Sequence, residues 1–137
     1  MMFQTKSIKT IENITLKRRE RVKRDGSPYY TWTPGIIASG ATTTIYVPSQ
    51  FPASRKYEPL DFIELTNMES ANNLTLTINS TDQFTAPAGV IRNVHQKGLW
   101  SVAITNNGSG ATTSGNVVAS LRREPLTIDK WSRGIRV

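Results

Sequence analysis

Leu74-Thr75-Leu76-Thr77-Ile78 alternates without a break, placing three aliphatics on one side of an extended chain and two threonines on the other. Successive side chains of a strand point to opposite faces, so the stretch predicts a half-buried strand. Threonine, branched at Cβ, suits a pleated surface better than a helix. The same period of two returns in Trp100, Val102 and Ile104, and again in Val117, Ala119 and Leu121. Working outward, β-like runs occupy residues 41–47, 60–67, 74–79, 89–94, 99–106 and 116–123.

Turn chemistry separates these runs. Pro48 and Pro52 bracket one loop, and residues 68–73 form a second. Ser80-Thr81-Asp82 opens a third, which closes at Ala86-Pro87-Ala88-Gly89. Gln96-Lys97-Gly98 reads as a tight reversal, and residues 106–115, rich in Asn, Gly, Ser and Thr, as a long flexible connection. No amphipathic helix of three or more turns occurs in residues 35–124, and there is no βαβ alternation, which disfavours parallel-sheet nucleotide folds. With one or two strands from the N-terminal region, seven or eight strands predict an all-β fold. The expected architecture is a jelly-roll-like antiparallel β-sandwich.

Charge divides the 137-residue chain differently. It carries 17 Lys+Arg against 10 Asp+Glu, a net of +7. Residues 1–25 hold eight basic and three acidic side chains, whereas residues 26–137 hold nine and seven. Most of the excess lies in Lys17-Arg18-Arg19-Glu20-Arg21-Val22-Lys23-Arg24. Like charges packed this closely repel, so a polyanionic partner is expected. The run ends in Asp25-Gly26, which tolerates the positive φ angles of a type I′ hairpin, and Tyr29-Tyr30-Thr31-Trp32 beyond it is rich in strand formers. Counting outward from that turn sets Arg21 opposite Tyr30 and Arg19 opposite Trp32, all four on one face, with Val22 and Tyr29 on the other. Pro28 lacks a donor and suits an edge. The competing arrangement for residues 7–24 is a helix, on which Ile8, Ile11 and Leu16 share a face.

Three segments follow: a basic N-terminal arm or hairpin (1–34), the β-sandwich core (35–124) and a C-terminal tail (125–137). Pro125 stops the last strand, and the tail mixes Leu126, Ile128, Trp131, Ile135 and Val137 with Lys130, Arg133 and Arg136. Trp131 either folds back on its own domain or anchors in a neighbouring subunit, where an aromatic flanked by Arg133, Ile135 and Arg136 suits a contact hot spot.

Composition excludes much chemistry. The length fits one domain. With no cysteine there are no disulfides, thiolate metal sites or cysteine nucleophiles, and the single histidine, His95, rules out a site needing two imidazoles. No apolar run approaches 18 residues, so no membrane span is expected, and the N-terminus lacks a signal-like apolar run. The central acids are Glu58, Asp61, Glu64, Glu69 and Asp82. Asp61 and Glu64, three apart, point to opposite faces of a strand and make no dyad. Strands bring distant carboxylates together, so Glu64 with Asp82 is the pairing open to a glycosidase site, although surface-strand acids are commonplace. His95 reads as a solvated turn residue. Walker, Rossmann, EF-hand and HExxH patterns are missing, so no cofactor, no metal and no enzymatic activity are expected. Four N-x-S/T sequons, at Asn13, Asn73, Asn79 and Asn107, carry no weight without a signal peptide.

Binding surfaces are better supported. Lys17, Arg18, Arg19, Arg21, Lys23 and Arg24 beside Tyr30 and Trp32 would neutralise phosphates and stack bases, as a module for single-stranded nucleic acid does. No RNP, KH or zinc-finger pattern points to sequence-specific reading. A carbohydrate-binding sandwich is a further alternative, with Trp100 or Tyr46 as the stacking ring, although Trp100 alternates with Val102 and Ile104 and is expected in the core.

The arginine-rich residues 17–24, the cysteine-free strand series from Ala41 to Arg123 and the apolar-basic tail from Trp131 to Val137 together resemble the small single jelly-roll structural proteins of icosahedral viruses. Leu65-Thr66-Asn67, Leu74-Thr75-Leu76-Thr77-Ile78-Asn79, Ala86-Pro87-Ala88-Gly89 and Ile104-Thr105-Asn106-Asn107-Gly108-Ser109 are similar to stretches of small β-sandwich virion proteins. The resemblance implies a homo-oligomeric structural protein of the virion, with the cytoplasm as the alternative location. Its partners would be other capsid subunits, with nucleic acid or an inner layer met by the basic segment and Trp131 docking between subunits. The chain is short for a major capsid protein, so a minor capsid, vertex or decoration subunit is the closer expectation.

Overall fold

A computed structural model describes residues 28–124. The alternation that predicts strands also decides burial: Leu74, Leu76 and Ile78 are completely buried, whereas Thr75 and Thr77 keep partial exposure. Eight strands form: β1 (Tyr30–Trp32), β2 (Thr42–Tyr46), β3 (Phe62–Asn67), β4 (Leu74–Ile78), β5 (Asp82–Ala86), β6 (Ile91–His95), β7 (Ser101–Asn106) and β8 (Val117–Arg122). A single helical turn, α1 (Val47–Gln50), and a 3-10 turn (Pro52–Tyr57) join β2 to β3.

Pairing is nested and antiparallel throughout. The first strand pairs with the eighth, the second with the seventh, the third with the sixth and the fourth with the fifth. Alternate pairs go to opposite layers, where β3 also joins β8 and β4 joins β7. The result is a first sheet in the order β1-β8-β3-β6 and a second in the order β2-β7-β4-β5. Two four-stranded sheets rolled from one nested hairpin make the double Greek key of a jelly roll, and the all-β sandwich expectation holds.

The core lies between the sheets. Ile63 and Leu65 of β3 and Ala119 and Leu121 of β8 meet Leu74, Leu76 and Ile78 of β4 and Val102 and Ile104 of β7, all fully buried. Truncating any one large aliphatic here to alanine would cost about 2–5 kcal/mol. Trp32, Ile37, Val47, Tyr57, Leu60 and Leu99 close the ends of the same cluster.

Several local expectations change. Residues 80–86 were expected as loop, but Asp82–Ala86 is β5, an edge strand paired with β4 through Leu76 opposite Phe84. The residues between Pro48 and Pro52 and just beyond form helical turns, with each proline at the start of its turn, where its missing N–H is harmless. Gln96-Lys97-Gly98 does not reverse a hairpin; it carries the chain from the first sheet to the second. The Gln96 N–H donates to the Asp61 carbonyl and the Leu99 N–H to the Leu60 carbonyl on that crossing. Residues 106–115 are firmly tied rather than loose. The Asn106 amide donates to the carbonyls of Ile37 and Gly110, and its Oδ1 accepts from the Gly108 N–H. The Asp25-Gly26 hairpin turn, the helix alternative for residues 7–24 and the tail residues Trp131, Arg133, Ile135 and Arg136 lie outside the described residues.

Candidate interaction surfaces

Ladder register assigns every strand residue to the core or to an outer face, and the two outer faces differ in kind. Across the first sheet, Phe62 stands opposite Arg122 on one side and His95 on the other. Tyr29, just ahead of β1, completes the row. The Arg122 guanidinium lies 4.8 Å from the Tyr29 ring centre, Tyr29 meets Phe62 edge-on at 6.5 Å, and Phe62 meets His95 at 4.8 Å. Arg122 Nε is buried without a hydrogen-bond partner, so the stack against Tyr29 is what holds that side of the guanidinium. The next row runs Thr31, Ser120, Glu64, Asn93, and the third runs Val118, Thr66, Ile91. This face thus mixes cation, carboxylate, aromatic and aliphatic groups.

The outer face of the second sheet is uniform. Thr42, Thr105, Thr75 and Thr85 form one continuous row over all four strands. The row beside it reads Thr44, Ala103, Thr77, Gln83, and Tyr46 pairs with Ser101 beyond. None of these side chains is charged. Within the first row the Thr42 and Thr105 hydroxyls bond each other at 2.7 Å, and the Asn107 amide donates to Thr75 Oγ1. Tyr46 is 57% exposed.

A carboxylate stands just past each end of β3. Glu69, 5% exposed, ties the β3–β4 loop to the β7–β8 loop. Its Oε1 accepts from the Asn72 amide at 2.7 Å, and its Oε2 accepts from the Thr113 N–H at 3.0 Å and the Asn116 amide at 2.7 Å. The Thr113 hydrogen bond outweighs burial, and with the two amides it holds the Glu69 carboxyl below its ordinary range. Asn67 braces the same end by donating to the carbonyls of Asn72 and Ala86. The packing there is tight: a Cβ at Gly108 would lie 1.8 Å from Asn72 Oδ1. At the other end, Asp61 Oδ1 accepts from the Glu124 N–H at 2.6 Å. Burial dominates there and pushes the Asp61 carboxyl up, against that hydrogen bond and the Arg123 charge.

The residues expected to contact a polyanion separate in the structure. Trp32 is 7% exposed and packed into the core, so its ring is unavailable for stacking a base. Tyr30 is half-buried on the same inner side, against Phe51 at 5.7 Å, with its hydroxyl donating to the Ala53 carbonyl. The exposed aromatic of this segment is instead Tyr29, at 48%. Lys17, Arg18, Arg19, Arg21, Lys23 and Arg24 lie outside the described residues. Trp100, expected in the core, is 39% exposed: β7 begins one residue later, and its indole rests on Gly98. His95 is not in a turn; it ends β6 on the aromatic row. Glu64 and Asp82 stand in different sheets, Glu64 on an outer face and Asp82 bonded by the Gln96 amide, so that pairing is not made.

Among the described residues no three His, Asp or Glu side chains gather as a metal-holding group, and no helix is long and apolar enough to cross a membrane. The sequons at Asn73, Asn79 and Asn107 have side chains engaged in hydrogen bonds within the body.

Charge sharpens the contrast between body and ends. Residues 28–124 hold six basic side chains (Arg55, Lys56, Arg92, Lys97, Arg122 and Arg123) and six acidic ones, a net of zero. The whole +7 therefore belongs to residues 1–27 and 125–137. Because β1 lies antiparallel beside β8, the chain enters the sandwich at Pro28 and leaves it at Glu124 at one corner, next to the Tyr29–Arg122 stack. No protein-family model matches the chain, and no curated protein matches it in sequence.

Proposed function

We propose that this chain is a structural virion subunit, of the minor capsid, vertex or decoration kind, that works by self-assembly and contact with neighbouring capsid subunits. The observation that carries the proposal is the pairing of a charge-balanced jelly-roll body with two terminal segments that hold all the excess charge and attach at one corner. A neutral body packs against copies of itself without accumulating repulsion. The terminal segments are left to reach a polyanion or an inner layer through Lys17, Arg18, Arg19, Arg21, Lys23 and Arg24, and to dock through Trp131. Nested antiparallel pairing makes a rigid scaffold, the kind of body on which loops and terminal segments carry contacts.

The experiment is co-purification with particles, together with sedimentation of the full chain across concentration. Incorporation into a shell, or reversible self-association that Trp131→Ala weakens, is the expected result. A chain that stays strictly monomeric at high concentration and never enters a particle overturns the proposal. A second reading, a carbohydrate-binding sandwich, draws on the exposure of both Tyr46 and Trp100. Retention on a glycan array that Tyr46→Ala or Trp100→Ala removes would favour it.

A further inference from the structure

We infer that the uncharged threonine face of the second sheet is a contact between two copies of this chain, packed sheet against sheet about a two-fold axis. The inference rests on the assembly reading above and names the surface that reading lacks.

Among the described residues six Lys/Arg and six Asp/Glu side chains occur, yet none projects from this four-stranded face. A two-fold contact sets a surface against itself, so a charge near the axis meets its own copy. A face meant for a different protein, or for a polyanion, gains from charge; the first sheet's outer face, by contrast, carries Arg122 and Glu64. Freedom from charge lets the face meet its own copy near the axis without like-charge repulsion. The Thr42–Thr105 and Asn107–Thr75 hydrogen bonds add to this, because hydroxyls already partnered along the row are not orphaned when water leaves. Two outer faces of antiparallel sheets also stack readily, at a spacing of about 10 Å.

Size sets the strength. Four strands about 4.8 Å apart and five residues at about 3.4 Å each span a face of roughly 19 by 17 Å. That falls well short of the roughly 800 Å² per partner of a stable stand-alone interface. The contact is weak in dilute solution and is filled when other contacts hold the copies close.

The chain has no cysteine, so single cysteines report proximity cleanly. Ala103 sits mid-face between Thr44 and Thr77, whereas Ser120 occupies the equivalent place on the first sheet. In assembled particles or concentrated full-length protein, a short bis-maleimide should dimerise most of an Ala103→Cys chain and little or none of a Ser120→Cys chain. Thr44→Arg/Thr77→Arg, folded by circular dichroism, should lose at least tenfold of self-association. Particles that form without Ala103→Cys dimers overturn this inference and leave the assembly reading standing. A covalent link to a different protein, or glycan retention through Tyr46 without dimers, also overturns it. Failure of all self-association removes the assembly reading itself.

Discussion

Glu69 and Asp61 flank the same strand, β3, and burial pushes both carboxyls in the same direction. They end on opposite sides of their ordinary ranges. Glu69 collects one backbone N–H and two side-chain amides, enough to hold its charge in a nearly closed site. Asp61 has the Glu124 N–H and the neighbouring Arg123 charge, and burial still wins. Burial alone thus says little about a carboxylate; the number of aimed donors decides whether it braces a fold or burdens it. One end of the sandwich is latched by a charge, and the other, where the chain enters and leaves, tolerates one.

The strongest test of that contrast is Glu69→Ala. It strands the part-buried Thr113 N–H and Asn116 amide and leaves the Asn72 amide with only the Ala111 carbonyl, and an unsatisfied buried donor costs about 1–3 kcal/mol. Urea unfolding should show a loss of about 2 kcal/mol or more; a loss under about 1 kcal/mol would mean water replaces the latch. Next comes Gly108→Ala, whose Cβ collides with Asn72 Oδ1 and should cost about 1–3 kcal/mol through overpacking. Adding Asn72→Ala removes the two closest colliding atoms, so the double variant should lose less than the sum of the two single losses. Strict additivity would show that the loops move apart instead.

The smallest effect lies in the pH dependence and separates the two carboxyls by sign. Glu69, lowered in the folded state, contributes stability above the ordinary glutamate range that is lost as the pH falls through its depressed value. Asp61, raised when folded, is a burden at neutral pH that lightens as the pH falls through its elevated value. Glu69→Gln should therefore flatten the acid limb of the stability curve. Asp61→Asn should steepen it and leave neutral stability unchanged or slightly higher. The reverse pattern in thermal unfolding between pH 3 and 7 would show that the two ends have been misassigned.

Strand content was legible wherever one face is fully buried, because alternation in β4, β7 and β8 reflects that burial directly. β5 escaped because it is an edge strand: only Ala86 is buried, Phe84 is half-buried, and Asp82, Gln83 and Thr85 face water. Alternation also says which residues share a face without saying which face is inside. Tyr30 and Trp32 do share one, with Tyr29 opposite, yet theirs is the inner side. The row Tyr29, Arg122, Phe62, His95 could not be read from the sequence at all. It depends on register between strands far apart in the chain. The threonine row was half visible, as alternate threonines in β4 whose partners come from β5 and β7, with β2 joining through β7.

The neighbouring positions of Pro28 and Glu124 have a mechanical consequence. Tension applied between the two ends of the described body would act across the β1–β8 ladder at its very tip, opening its hydrogen bonds one after another like a zipper. Tension that draws both ends toward the same anchor loads no ladder. The sandwich is weak against having its ends pulled apart and strong when both are held by one neighbour.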